Sequence, residues 1–167
     1  AARIHGGTSS GNNRVEELEN RKFGESDFHF TTNQIWTVYA DGSIELQSSI
    51  TSNQARFVLP RLGYVMELPE KYSDFTYYGR GPIENYNDRK TGQFIEVHKS
   101  TVKEQFANFP KPQDMGNHEE VRWAALTDGN EGAVFVATGD MSVSALPYTA
   151  LEMVLASHPY KLPKTNR

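Results

Sequence analysis

The residues most able to do chemistry are concentrated between Tyr77 and Arg89, where two carboxylates stand among arginines and tyrosines. Aromatic rings stack on pyranose faces, and carboxylates bind sugar hydroxyls or act as general acids and bases. The same residue types also allow a structural role, in which an arginine–carboxylate pair pins a long loop over packed tyrosines. The pattern predicts carbohydrate binding or loop pinning by these side chains: Arg80, Glu84, Tyr86, Asp88 and Arg89.

The Gly79-x-Gly81 spacing within this segment resembles the start of a dinucleotide-binding loop. Glu84 stands where such a loop needs its third glycine, and no helical pattern follows. The sequence therefore does not favour a nucleotide cofactor, and we expect no cofactor in this chain.

A second polar cluster runs from Pro112 to Trp123 and places His118 beside two glutamates. These residue types suit a metal ligand or a general base, but the other four histidines do not stand at ligand spacing from His118. We therefore expect no metal, and we interpret His118 as a hydrogen-bonded loop histidine. Asn117 and Arg122 join it as candidate carbohydrate-binding or loop-pinning residues.

Composition excludes several other classes of function. The chain has 167 residues, no cysteine and a formal net charge of −4. Without cysteine it has no disulfide, no thiolate zinc site and no cysteine nucleophile. The lack of basic clusters argues against a nucleic-acid partner. The sequence has no apolar run of about 18 residues, so we expect no membrane partner. No signal peptide is visible, and the cellular compartment stays open between cytoplasm and periplasm.

The candidate residues must be positioned by β-strands, because period-two alternation dominates from residue 28 onward. Residues 34–39 and 43–47 flank Ala40-Asp41-Gly42 and predict a hairpin. A three-residue loop pairs Val38 with Ile44 and Trp36 with Leu46, which collects the apolar side chains on one face. This register also places Gly42 where a positive φ is needed.

Further strands are predicted at short intervals, joined by turns at 128–130 and 138–140. One short helix is predicted over Ala150–Ser157, with Pro159 as its stop. This pattern favours an all-β, antiparallel sandwich over residues 28–167, preceded by a linker segment over residues 1–27. The predicted strands are Arg61–Leu68, Phe75–Tyr78, Phe94–Lys99, Val121–Thr127, Ala133–Thr138 and Met141–Leu146.

Two motifs carry a resemblance to a known family. The first is Gly79-Arg80-Gly81-Pro82-x-Glu84-Asn85-Tyr86-x-Asp88-Arg89, and the second is Gly116-Asn117-x-x-x-Val121-Arg122-Trp123. In this order and spacing, over about residues 28–160, the chain resembles the carboxy-terminal domain of bacterial beta-galactosidases of glycoside hydrolase family 2.

The resemblance implies a galactose-mutarotase-like antiparallel super-sandwich, incomplete here at its C-terminal end. It also implies retaining hydrolysis of terminal β-galactosides by two glutamates of a preceding barrel domain. No glutamate of this chain matches those two, so we expect no catalytic residue here. The implied partner is the remainder of the beta-galactosidase chain, and the galactoside binds only in the full-length enzyme.

Two alternatives remain open. A stand-alone carbohydrate-binding module is suggested by the tyrosines and tryptophans, and an aldose-epimerase-like enzyme would use Glu84 with His118 as its base and acid. If terminal strands are absent, an exposed sheet edge would allow a homo-oligomer.

Overall fold

The computed structural model describes residues 3–4, 29–54, 59 and 61–164. The chain divides into two compact units, residues 4–66 and residues 67–167 with 1–3, which are described separately below. The predicted linker over residues 1–27 lies outside the described residues, apart from the backbone of strand β1 (Arg3–Ile4).

The predicted hairpin forms in the first unit. Strand β2 (Phe30–Val38) pairs antiparallel with β3 (Ile44–Ser52), and Val38 lies opposite Ile44 as predicted. Gly42 has φ +88°, and the Asp41 carboxylate accepts a hydrogen bond from the Ser43 backbone N–H at 2.9 Å. The three-residue loop and its register are therefore confirmed.

The predicted strand Arg61–Leu68 is mostly wrong. Only β4 (Met66–Glu67) forms, pairing with β1 in a separate two-stranded sheet. The preceding residues lie beside the hairpin, where the Gln34 amide donates to the Tyr64 hydroxyl at 3.4 Å. Alternating side chains suit a strand, but a strand also needs a backbone partner along its length, and a side-chain contact does not supply one.

The second unit contains a four-stranded antiparallel sheet in the order β6-β5-β7-β8. The predicted strands Phe75–Tyr78, Phe94–Lys99 and Val121–Thr127 all lie within it and are confirmed. The observed bounds are β5 (Asp74–Gly81), β6 (Phe94–Thr101), β7 (Asn117–Thr127) and β8 (Gly132–Ser144).

One face of this sheet carries the core of the unit. Phe75, Tyr77, Val121 and Ala124 are all buried to about one per cent exposure or less, and they pack with Ala145. The rings of Phe75 and Tyr77 stack with centroids 5.0 Å apart. The alternating burial along β5 follows from the period-two geometry of a strand, which sends successive side chains to opposite faces.

The prediction of two strands separated by a turn at Thr138-Gly139-Asp140 is wrong, because β8 is one continuous strand of 13 residues. Between its pairs with Trp123 and Val121 on β7, β8 advances from Val136 to Met141 while β7 moves by only two residues. The extra residues form a bulge instead of reversing the chain. The turn predicted at Asp128-Gly129-Asn130 is confirmed, with Gly129 at φ +88° and the Asp128 N–H bonded to the Glu131 carbonyl.

The predicted helix is shorter than expected. Helix α1 spans Ala150–Leu155 and begins with a capping box between Thr149 and Glu152. Ala156 already has an extended backbone, so the helix ends before Pro159, and that proline instead begins a 3₁₀ turn (Pro159–Lys161). A proline can start a helical turn because its missing N–H would have had no partner there.

The all-β prediction is confirmed, since the described residues form antiparallel strands with very little helix. The super-sandwich subtype and the homo-oligomer stay predictions. Among the described residues, no helix combines the length and apolar character needed to cross a membrane.

Candidate functional site

The Gly79-x-Gly81 pair belongs to strand β5, not to a phosphate-binding loop. A Cβ on Gly79 would lie 2.6 Å from the Cγ2 atom of Val121, and a Cβ on Gly81 would overlap the Tyr77 hydroxyl and press on the His98 ring. Both glycines are therefore required by close approach of neighbouring side chains. The absent side chain of Gly79 makes room for Val121 on β7, and that of Gly81 makes room for the Tyr77 hydroxyl.

The loop after β5 is held by Glu84, whose two carboxylate oxygens bind different partners. Oε1 accepts a hydrogen bond from Nη2 of Arg89 at 2.8 Å, and Oε2 accepts one from the Gly116 backbone N–H at 2.8 Å. The Arg89 guanidinium also lies over the Tyr86 ring, 5.4 Å from its centroid, while Asp88 is exposed. One side chain thus ties the 82–90 loop to the start of β7.

Asn85 fastens the same loop from beneath, and sequence reasoning did not single it out. Its fully buried amide donates to the carbonyls of Arg80 and Ile83, both at 3.0 Å, and its Oδ1 accepts from the Glu119 N–H at 2.9 Å. The Asn117 amide in turn donates to the Asn85 carbonyl at 2.7 Å. The sequence offered one signal for this role, the asparagine within the first motif. An amide both donates and accepts hydrogen bonds, so it can satisfy the backbone of a buried loop.

His118 is completely buried, and both of its ring nitrogens have partners. Nε2 lies 2.6 Å from Oε1 of Gln105, and Nδ1 lies 2.8 Å from the Tyr77 hydroxyl and 3.2 Å from the Arg80 carbonyl. Burial lowers the pKa of His118 to about 4, against an opposing effect of the Arg80 carbonyl. The imidazole is therefore neutral near pH 7 and acts as a hydrogen-bonding spacer between β5, β7 and Gln105.

Glu120 occupies an unusual backbone position, with φ +54°. Its Oε1 lies 2.9 Å from Nε of Arg80 and 2.9 Å from Nζ of Lys90. The hydrogen bond from Arg80, followed by that from Lys90, lowers the pKa of Glu120 to about 2. The sequence placed Glu120 only as a neighbour of His118, since a positive φ and two cationic partners from other segments depend on the tertiary fold.

Arg122 connects this ion cluster to the bulge on β8. Nη2 lies 3.5 Å from the Asp140 carboxylate, and Nη1 donates to the Glu120 carbonyl. The guanidinium also lies over the Tyr78 ring, 5.9 Å from its centroid. The side chain thereby links β7 with its two neighbouring strands.

The structure brings most of the predicted residues together in two connected groups, but their observed partners belong to the protein itself. Arg80 pairs with Glu120 instead of with Glu84, whose partner is Arg89. This arrangement favours the loop-pinning interpretation, while carbohydrate binding stays a prediction. Glu84 and His118 have their polar atoms engaged by protein groups, so the geometry does not favour their use as an epimerase acid–base pair.

Among the described residues, no group of three acidic or histidine side chains is arranged to hold a metal ion. The first unit contains an open cleft of about 350 Å³, lined by Ser48, Ile50, Leu62, Gly63 and Tyr64. These residues provide hydroxyl groups and apolar surface, and none of them is a carboxylate or a histidine that could act as a general acid or base.

The sequence is similar to known proteins over most of its length. The family model described as beta galactosidase small chain matches residues 5–167. A beta-galactosidase of Priestia megaterium is 37% identical over 133 residues, covering 78% of this chain and 13% of that relative. A beta-galactosidase of Lactobacillus delbrueckii subsp. bulgaricus is 36% identical, covering 72% of this chain and 12% of the relative. A beta-galactosidase of Halalkalibacterium halodurans is 33% identical, covering 78% of this chain and 13% of that relative.

Proposed function

This chain belongs to the beta-galactosidase small chain family, and from that membership we propose that it forms a non-catalytic, carboxy-terminal β-sandwich part of a bacterial beta-galactosidase. The observation that carries the proposal is the pattern of coverage. The family match extends over nearly the whole chain, whereas the matched region spans only about an eighth of each of the curated relatives described above.

The proposed activity of the longer polypeptide is retaining hydrolysis of terminal β-D-galactosides. In that mechanism one glutamate is the nucleophile, a second is the acid/base, and their carboxyl groups stand about 5–5.5 Å apart. We assign both glutamates to a barrel domain outside these 167 residues. This chain then supplies scaffold and one wall beside the active site.

The local chemistry supports a structural role for the chain. Two glutamates of the motifs are already engaged: Glu84 binds Arg89 and the Gly116 N–H, and Glu120 binds Arg80 and Lys90. His118 is completely buried, and its ring nitrogens face the Tyr77 hydroxyl and the Gln105 side chain. Ion pairs and hydrogen bonds of this kind hold loops in one geometry, which is what a wall beside an active site requires.

A galactosidase assay tests the proposal. The purified 167-residue chain is expected to give no sustained hydrolysis of a chromogenic β-galactoside, whereas the longer polypeptide encoded with it should hydrolyse the substrate with retention of configuration. Sustained turnover by the 167-residue chain alone would overturn the non-catalytic assignment. A reading frame that encodes no barrel with paired glutamates would overturn the assignment to a beta-galactosidase.

The second candidate is a carbohydrate-binding module, and the exposed Arg89 guanidinium over the Tyr86 ring is the observation that favours it. Calorimetric titration of the chain with galactose and lactose distinguishes the two functions. Millimolar or tighter binding that is lost in Arg89→Ala but kept in the control Lys71→Ala would favour the module. Lys71 is a suitable control because its partner is Glu131, on the β7–β8 turn.

A further inference from the structure

The face of the four-stranded sheet opposite the core carries a second set of apolar side chains. One residue from each of the four strands forms a continuous row of cross-strand partners, here called the apolar row. Its members are Val97 on β6, Tyr78 on β5, Trp123 on β7 and Val136 on β8. Val97 is 55% exposed, Tyr78 37% and Val136 75%, and the adjacent Val134 is 65% exposed. The row therefore crosses the entire sheet and is largely uncovered.

The core lies on the other face, so both faces of this sheet are apolar at their centres. An antiparallel sheet with one solvated face normally alternates between apolar and polar side chains. Contiguous apolar surface that spans several strands marks a place where another protein surface packs. The apolar row thus has the composition of a buried layer.

The margins of this face are polar and charged. At one end of the strands, three paired residues form the polar margin: Asp74, Thr101 and Thr127. Asp74 stands two residues beyond Thr76 on β5, and Thr127 stands two residues beyond Ala125 on β7. At the other end stand Arg80, Lys90 and Arg122, against the carboxylates of Glu120 and Asp140. With Asp74 at the opposite end, the three basic groups are matched by three acidic ones, so these groups leave no charge in excess. An apolar centre with a charged rim is the usual anatomy of a protein–protein contact.

We propose that the apolar row is a docking surface for another region of the longer polypeptide, one that places apolar side chains over Tyr78 and Trp123. This inference rests on the proposed function, because it requires that longer polypeptide. The matched relatives are about eight times longer than the region they share with this chain, which provides the additional polypeptide. The exposed apolar side chains of the row select an apolar partner surface, which the polar rim then surrounds.

Single-cysteine labelling tests the proposal, and the absence of cysteine from these 167 residues makes each introduced thiol distinctive within them. Val136→Cys is prepared in the 167-residue chain and in the longer polypeptide, and its rate of reaction with a maleimide is measured in each. Asp88→Cys, on the exposed part of the 82–90 loop, is the control. Val97→Cys provides a second position on the row if Val136→Cys fails to fold in either protein.

The expected result is at least tenfold slower labelling of the row positions in the longer polypeptide than in the short chain, with similar rates at position 88. Equal rates at positions 136 or 97 in the two proteins would overturn the inference while leaving galactosidase activity, and hence the proposed function, intact. Protection already present in the 167-residue chain, together with a dimer in sedimentation, would show that a second copy covers the row and would also overturn it. Failure of the proposed function would instead appear as a missing barrel in the longer polypeptide.

Discussion

The phenol of Tyr77 donates a hydrogen bond to Nδ1 of His118 across 2.8 Å, and both side chains are buried to one per cent exposure or less. Because Nε2 of His118 donates to Oε1 of Gln105, Nδ1 carries the lone pair that the phenol requires. This chain of polar groups joins β5, β7 and the segment around Gln105 within an otherwise apolar core. Burial in this core disfavours the charged imidazole and keeps the pKa of His118 low.

Acid should therefore weaken the fold through His118. Its pKa is about 4 in the folded chain and about 6.5 when unfolded, so the unfolded state binds more protons between these values. Stability is full above pH 6.5 and falls as the pH drops toward 4, by roughly 3 kcal/mol in total. Urea unfolding between pH 7 and 4.5 measures this loss.

His118→Gln should flatten that pH dependence, and the exposed His29→Gln is its control. The comparison between the variant and the parent chain isolates His118, because the carboxyl groups and the other histidines titrate in both proteins. An unchanged pH dependence in His118→Gln, with the fold retained, would contradict this assignment.

Gly81→Ala should destabilise the chain by about 1–3 kcal/mol, because the new methyl group would overlap the Tyr77 hydroxyl. Removing that hydroxyl in Tyr77→Phe should relieve part of the clash, so the double variant should lose less than the sum of the two single losses. Thermal or urea unfolding of the three variants gives the cycle. Gly139→Ala, where a Cβ meets open space, is the control and should be close to neutral. Strict additivity of the two changes would count against the contact.

Glu84→Ala should lower stability by about 1–3 kcal/mol, because it leaves the Gly116 N–H without its acceptor and Arg89 without its ion-pair partner. The same change should speed proteolytic cleavage within residues 82–90. Asp88→Ala, in the same loop but exposed, should change stability by no more than about 0.5 kcal/mol. If the two variants behave alike, Glu84 does not hold this loop.

Glu120→Gln should alter the acid limb of the stability curve. The pKa of Glu120 is about 2 when folded, below its ordinary value near 4.5, so its contribution is full above pH 4.5 and is lost as the pH falls toward 2. The variant should be less stable at pH 7, with a smaller further loss across that window. Chemical denaturation at pH 7 and 3 checks this. Glu131→Gln, which breaks the solvent-exposed pair with Lys71, should have the smaller effect.

Short-range sequence pattern was sufficient to predict several strands and one hairpin. Period-two alternation predicted the strands that contain Phe75, Phe94 and Val121, and the Asp41-Gly42 pair predicted the hairpin register, because turn geometry and side-chain alternation act over a few neighbouring residues. The two motifs were sufficient to indicate the family. The charged and aromatic residues that resemble a sugar site were also visible without coordinates.

The partners of those residues depend on the tertiary fold. Arg80 binds Glu120, forty positions away along the chain, instead of the nearer Glu84, and Gly79 is required by the Val121 side chain of another strand. The turn expected at Gly139 became a bulge because β7 offers a continuous backbone partner on both sides of it. Strand pairing and packing bring together residues that are distant in sequence. The free energy of these contacts depends on the whole sheet, and a short stretch of sequence carries no information about it.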